Sequence, residues 1–293
     1  MTEATVGVIG GSGLGEALAD TQGEAVRVET PFGEPSGEIV LASLGGTDIA
    51  VLSRHGAGHV LNPSQVNYRA NIYAMKALGC THIISSGAVG SLRENIRPKE
   101  LVIPEQVIDK TYRRAGTFFD EHFAAHVEMA MPFCPVLRGH LLACADAVGT
   151  KVHDGGTYVC MEGPSFSTRA ESEMYRAWGG DLIGMTCMPE ARLAREAEIA
   201  YALVCLASDY DCWRPIPEDL DKHELLKEII ANLSEATQNA LELIKAALTR
   251  FADIAETPSP AHSALELAIW TSREHLDADA ARRKYGVLVE KYL

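Results

Sequence analysis

An apolar run, Val6-Gly7-Val8-Ile9, passes without a break into Gly10-Gly11-Ser12-Gly13-Leu14-Gly15. A short continuous apolar segment bounded by glycines is the pattern of a strand buried on both faces, and such strands belong to sheets covered by helices. Strand-like runs recur at 38–44, 49–53, 82–86, 101–107, 158–161, 181–185 and 200–207. Helical patterns separate some of them. Asn62-Pro63 offers an N-cap followed by proline at the first helical position, with Gly79 closing the segment. Thr168-Arg169-Ala170-Glu171 has capping-box spacing and should stop at Gly179-Gly180. Pro189 suits the start of a helix running to about Ile199. Strands alternating with helices predict an α/β fold with a largely parallel central sheet.

A long helical pattern over 222–250, carried by Leu225, Leu226, Ile229, Ile230, Leu233, Leu241, Leu243 and Ile244, closes this core before Thr257-Pro258-Ser259-Pro260 breaks it. The expected division is a domain over 1–254 and a linker with a helical extension over 255–293. That extension ends on Tyr285-Gly286-Val287-Leu288-Val289, too apolar for a solvated terminus, so it should dock on the same subunit or a neighbour.

With 293 residues, 47% apolar and 23% charged, the chain can bury a sizeable core. Its formal charge of −14 argues against nucleic acid or an anionic membrane as partner, so any phosphate must meet locally gathered positive groups. The seven cysteines include no C-x-x-C pair, which suggests neither a zinc site nor a disulfide framework and fits a reducing cytosol. The first residues lack a signal-peptide pattern and no apolar run approaches the roughly 18 residues of a membrane span. A soluble, cytoplasmic protein without a metal is expected.

Several segments carry chemistry. The turn after the first strand frees backbone N–H groups to face an anion. A dinucleotide-binding turn competes with that reading, but Glu16 stands where the motif wants a small residue against the strand. A plain structural turn is the other alternative. Ser53-Arg54-His55-Gly56 brings a guanidinium and an imidazole out at a strand end, and arginine's planar fork suits phosphate, although an exposed Arg and a surface His would read the same. A second glycine-rich strand end, Ser85-Ser86-Gly87-Ala88-Val89-Gly90-Ser91, points to one shared anion site. Asp209-Tyr210-Asp211 follows the last strand with two carboxylates on one side of an extended backbone, either solvated or serving one ligand. If buried, such an acid could protonate a leaving group, provided its pKa rises well above the usual ~3.9. Phe166, after Glu162-Gly163-Pro164, could stack on a flat heterocycle, and core packing is the slightly favoured alternative.

Together these segments resemble the methylthioadenosine phosphorylase branch of the trimeric purine nucleoside phosphorylases. The resemblance runs from Val6 to about Leu226, most specifically through Gly10-Gly11-Ser12-Gly13-Leu14, 30–36, Arg54-His55-Gly56, 62–68, 90–94, Glu162-Gly163-Pro164, Met185-Thr186 and Ser208-Asp209-Tyr210-Asp211-Cys212-Trp213. It implies a mixed central β-sheet surrounded by helices, a homotrimer with sites near the subunit interfaces, and a C-terminal helical extension. It also implies that Ser12, Arg54, His55, Gly87, Ala88 and Thr186 surround phosphate, with no side-chain contact from Gly87, where relatives often carry a hydroxyl. By the same resemblance Met185 lies against the ribose, Phe166 against the base, and Ser167, Ser208, Asp209 and Asp211 at the adenine edge. His59, Leu288 and, from a neighbouring subunit, His126 would line a 5' pocket. An ungapped count places Lys222 and Leu225 there too.

The activity implied is phosphorolysis of methylthioadenosine, with Asp209 as the acid, inorganic phosphate as co-substrate and no cofactor. A phosphorylase of broader 5' specificity, acting on adenosine or on 6-oxopurine nucleosides, is the alternative. A nicotinamide-dependent oxidoreductase and a non-catalytic nucleoside-binding protein are the readings from other classes.

Overall fold

One strand organises the sheet. In a computed structural model that describes residues 5–11, 23–215 and 221–293, the ten-residue strand His82–Ser91 pairs with three others. In chain order the strands are β1 Val6–Gly10, β2 Glu24–Val26, β3 Ile39–Leu44, β4 Thr47–Ser53, β5 His82–Ser91, β6 Leu101–Ile103, β7 Gln106–Lys110, β8 Val152–Asp154, β9 Thr157–Met161, β10 Leu182–Gly184 and β11 Ala200–Asp209. The described helices are α1 Tyr68–Ala77, α2 Pro135–Ala143, α3 Arg169–Ala177, α4 Cys187–Glu196, α5 Lys222–Thr249 and α6 Ala278–Tyr285, with short 3-10 turns between them.

The sheet is mixed. The strands β4, β1, β5 and β11 run parallel, as do β9 with β10 and with β7. The pairs β2–β3, β3–β4, β5–β10 and β6–β11 are antiparallel, so the largely parallel sheet expected from alternation is corrected to a mixed one. The two-residue period sends alternate side chains to opposite faces. Tyr201, Leu203 and Cys205 of β11 join a core with α1 and α4, whereas Ala202, Val204 and Leu206 join another with α2 and α5. Helices therefore cover both faces of the centre.

The register of β5 creates an opening. β1 pairs with it only as far as Ser85, and β10 takes up the same edge only at Gly90. Between them, among the described residues, Ser86 to Val89 have no partner strand on that edge. The segment Ser85–Ser91, read as a glycine-rich strand end, is strand throughout.

Local signals held where they were complete. Thr168 and Glu171 form a reciprocal capping box on α3, and α5 spans nearly the whole predicted stretch. Met188 leaves helical dihedrals (φ −113°, ψ 137°), so the continuous part of α4 starts at Pro189, as its position predicts, and stops at Glu196. Elsewhere tertiary contacts decided. Asn62 caps only a turn, its Oδ1 accepting from the Ser64 and Gln65 amides, and α1 waits for Asn67, whose Oδ1 accepts from Ala70 N. The run 101–107 is broken into β6 and β7 around Pro104.

The C-terminal tail docks on its own subunit. Leu265, Tyr285, Leu288 and Val289 are buried in the same core as α1 and α4, Ile269 forms a bridge with Ala125, and the Leu265 amide donates to Glu198. No helix among the described residues is long and apolar enough to cross a membrane.

At the start of β5, His82 is buried against Phe251 (4.9 Å) and His262 (5.1 Å), and its Nε2 has no partner among the described residues. Burial, then His262 and His140, depress its pKa from 6.5 to about 4. The folded form holds this ring neutral, so its contribution to stability is complete above the unfolded pKa of 6.5 and is lost as pH falls towards 4. For this group alone, stability should fall by roughly 2 kcal/mol between pH 7 and pH 5. His55 is shifted in the same direction. Urea unfolding at the two pH values should show a fall in stability from pH 7 to pH 5 that is smaller by roughly 2 kcal/mol in His82→Phe than in wild type. An unchanged dependence in the variant rules this origin out.

Candidate active site

The open edge of β5 forms the wall of a cavity of about 610 Å³. Gly11, Arg54, His55, Gly87, Ala88 and Thr186 line one part of it, and Met185, Ser208, Asp209, Asp211, Ser167 and Phe166 another. Ser12 lies outside the described residues. The strand ends of β1, β4 and β11 and the free edge of β5 thus bring together segments more than a hundred residues apart.

Arg54 is 1% exposed, and its charge is answered by a residue the sequence reading missed. Nε donates to Glu190 Oε2 at 2.7 Å and Nη2 to Oε1 at 3.0 Å, while Nη2 also meets Ser85 Oγ and Nη1 donates to Ser86 O at 2.9 Å. Glu190 Oε1 additionally accepts from Ser85 Oγ and Tyr201 Oη. Burial opposes the guanidinium's charge, but Glu190 outweighs it and the Arg54 pKa is raised. The fork expected to clasp phosphate therefore clasps Glu190. Among the described residues, one of the five guanidinium hydrogens, on Nη1, remains uncommitted. Gly11 makes this approach possible, because a Cβ there would stand 2.9 Å from Ser86 O and 3.0 Å from Arg54 Nη1.

His55 is neutral. Burial and then Arg54 lower its pKa to about 4. Its Nδ1 lies 2.8 Å from Leu61 O, and a carbonyl only accepts, so Nδ1 carries the hydrogen and Nε2 is a bare acceptor. His59 stacks on it at 4.2 Å and also lines the cavity.

At the far wall Asp209 ends β11. Its Oδ2 accepts from Ser208 Oγ and its Oδ1 from the Asp211 amide, both at 2.7 Å. Asp211 has φ +48°, so the two carboxylates converge through a turn rather than along one extended face. Its Oδ2 accepts from Ser172 Oγ. Burial raises the pKa of Asp211, and the charge of Asp209 adds to the shift. Gly90 is the floor beneath the pair: a Cβ there would meet Asp211 Cβ at 3.1 Å and Asp209 Oδ1 at 3.3 Å. The following Trp213 anchors the loop by donating to Ser91 O at 2.8 Å under the Arg176 guanidinium.

Some expected residues stand elsewhere. Phe166 is 85% exposed at the cavity rim, not in the core. On α5 the residues reaching the cavity are Ile229 and Leu233; Leu225 sits a turn earlier, half-buried and away from it, and Lys222 is exposed. The ungapped count was a turn short. Leu288 is packed inside the core beneath the tail, and His126 is exposed against Trp270 at 5.0 Å. Neither lines the cavity of its own chain. No cluster of His, Cys, Asp and Glu suited to a metal occurs among the described residues.

Comparison with known proteins gives a consistent result. The profile of the Phosphorylase superfamily matches residues 5–249. The S-methyl-5'-thioadenosine phosphorylase of Thermosynechococcus vestitus is 46% identical over 99% of this chain and 99% of its own, and that of Geobacter sulfurreducens 49% over 96% of each. Among solved structures, a methylthioadenosine phosphorylase from an Antarctic soil metagenomic library superposes with a TM-score of 0.89 at 46% identity, covering 98% of this chain and 99% of that one. A mutant adenosine/methylthioadenosine phosphorylase from Schistosoma mansoni, in complex with methylthioadenosine, superposes with a TM-score of 0.81 at 32% identity, covering 91% and 99%.

Proposed function

The chain belongs to the phosphorylase superfamily and, within it, to the S-methyl-5'-thioadenosine phosphorylases, and from that premise we propose that it splits methylthioadenosine with inorganic phosphate into adenine and 5-methylthioribose 1-phosphate. The observation that supports this reading is a cavity that brings the free edge of β5, Arg54 and Thr186 together with a pair of carboxylates.

Phosphate would sit against the free edge of β5. Because Arg54 and Glu190 cancel, the site offers oriented N–H and O–H dipoles rather than net positive charge: the Ala88 amide, the spare Arg54 hydrogen, the Thr186 hydroxyl, and Ser12 by the family pattern. His55, with Nε2 bare, accepts from the protonated oxygen of monohydrogen phosphate. As the C1'–N9 bond opens, the ribosyl group gains oxocarbenium character beside Met185, and phosphate attacks C1' from the face opposite the base. The bonding pair leaves on adenine, which Asp209 protonates at N7 while Asp211 accepts from the exocyclic amine. Carboxylate acceptors match a 6-amino group and repel a 6-oxo group.

Ile229 and Leu233 form the apolar wall near which a thiomethyl group is placed. We place His126, exposed on its own subunit, in the neighbouring site of a homotrimer, whereas Leu288, packed in its own subunit's core, supports the tail and not a pocket. Phosphate is a co-substrate and no cofactor takes part. The reaction belongs in the reducing cytosol, where seven unpaired cysteines, six of them buried, remain thiols.

The test combines sedimentation with product analysis. A trimer is expected that releases adenine only when phosphate is present, yields the sugar 1-phosphate, and favours methylthioadenosine over adenosine by less than about 10²-fold, the limit for rejecting an added hydroxyl by an apolar wall. Equal base release without phosphate indicates a hydrolase, a ratio below one an adenosine phosphorylase, and a fully active monomer removes the neighbouring-subunit assignments.

A further inference from the structure

Beneath the cavity lies a second buried ion pair that touches none of the space a substrate would occupy. Arg114, its side chain 2% exposed, donates Nε to Glu162 Oε1 at 3.2 Å and Nη2 to the Glu162 carbonyl, and Nη1 to the carbonyls of Met185 and Met188. The Nη1 atom also lies 3.3 Å from Tyr68 Oη, which donates to Pro63 O. Glu162 is equally committed. Its Oε1 accepts from Ser64 Oγ and its Oε2 from the Tyr112 and Arg113 amides. Burial opposes its charge, but these donors outweigh it and hold the carboxyl below its ordinary pKa.

The four segments joined here are 62–65, 112–114, 161–167 and 185–188. Three of them carry cavity walls: Asn62, Pro63 and Gln65 on the first, Pro164, Phe166 and Ser167 on the third, and Met185 and Thr186 on the last. Apart from Met161 at the end of β9 and the first residues of α4, these stretches are turns and irregular chain. Their mutual placement depends on side chains. One planar guanidinium fixing three backbone carbonyls sets their spacing in a way an ammonium on a flexible stem cannot. Arg54 and Glu190 hold the phosphate wall by separate partners.

We infer that Arg114, locked by Glu162, is the positioning residue that sets the nucleoside walls of the cavity, the Pro164–Ser167 turn against Met185, and that of the phosphate wall it bears on Thr186 alone. This deepens the proposed function and rests on it for the identity of the nucleoside.

The experiment compares wild type with Arg114→Lys, Arg114→Ala and Glu162→Gln. Calorimetry reads phosphate and adenine binding separately, and steady-state kinetics use methylthioadenosine. Arg114→Lys should keep a cooperative unfolding transition and bind phosphate within about threefold of wild type, a change of less than 1 kcal/mol. Its kcat/KM for the nucleoside should fall on the order of 10²-fold, the effect of an ångström-scale misplacement, and adenine should bind more weakly. Added guanidinium ion at non-denaturing concentration should restore part of the activity of Arg114→Ala and none of that of Arg114→Lys, whose side chain fills the space. Parallel loss of phosphate and adenine binding, or wild-type kinetics in Arg114→Lys, overturns the inference. A wild type without phosphorolysis overturns the proposed function instead, and the adenine-to-phosphate binding comparison then still decides whether Arg114 positions the walls.

Discussion

Glu190→Leu is expected to lower the stability of the folded chain by about 3–5 kcal/mol, because it strands the guanidinium of Arg54 without a countercharge in the interior. Both side chains are almost wholly buried, and their oxygens and nitrogens are bonded mainly to each other, to Ser85, Ser86 and Tyr201. Water cannot replace those partners. The double variant Arg54→Met/Glu190→Leu should regain most of the loss, since apolar pairs of similar volume often match or exceed a buried ion pair in stability. Activity should not return with it, because the one guanidinium hydrogen left for phosphate has gone. Urea midpoints at unchanged slope measure the first effect, and phosphorolysis rates the second. A single variant destabilised by less than 1 kcal/mol would mean that the pair is solvated, contrary to its burial. A double variant that recovers phosphorolysis would remove Arg54 from the anion site.

Asp209→Asn should reduce kcat for 6-aminopurine nucleosides by on the order of 10²–10⁴-fold, the usual contribution of a positioned proton donor, with little change in phosphate affinity. Adenine leaves poorly as an anion, so the penalty belongs to the chemical step rather than to binding. The two carboxylates invite a direct comparison. Asp209 ends the strand and accepts from Ser208 and the Asp211 amide, while burial raises the pKa of Asp211 and Ser172 holds its oxygen. Asp211→Asn should act chiefly on KM by weakening recognition of the exocyclic amine. If instead it lowers kcat more than Asp209→Asn does, the proton comes from Asp211 and the two roles must be exchanged.

The chain order of its chemistry was legible before any coordinate. Val6–Ile9 running into glycines, Arg54-His55 after a strand and the Asp209–Asp211 segment after the last strand are local patterns, set by period and turn propensity within a few residues, whereas Thr186 is marked only by the family resemblance. Each of these segments does border the cavity. What local patterns cannot carry is pairing across the fold. Glu190 stands 136 positions from Arg54, and Glu162 is 48 from Arg114. Nothing in either neighbourhood marks a glutamate as destined for the interior, since a solvated carboxylate and a paired one have the same letters around them. The open edge of β5 arises because β1 stops and β10 starts at different points along it, a register that only the assembled sheet defines. Ile229 and Leu233, rather than Leu225, face the cavity because packing of α5 on β11 sets its rotation and advance, and a helix's apolar periodicity is the same at every turn. Sequence alone therefore determined which elements exist and which residue types reach the site, whereas the tertiary structure decided which charges cancel and which walls close, because long-range electrostatic partners and strand register are properties of the packed whole.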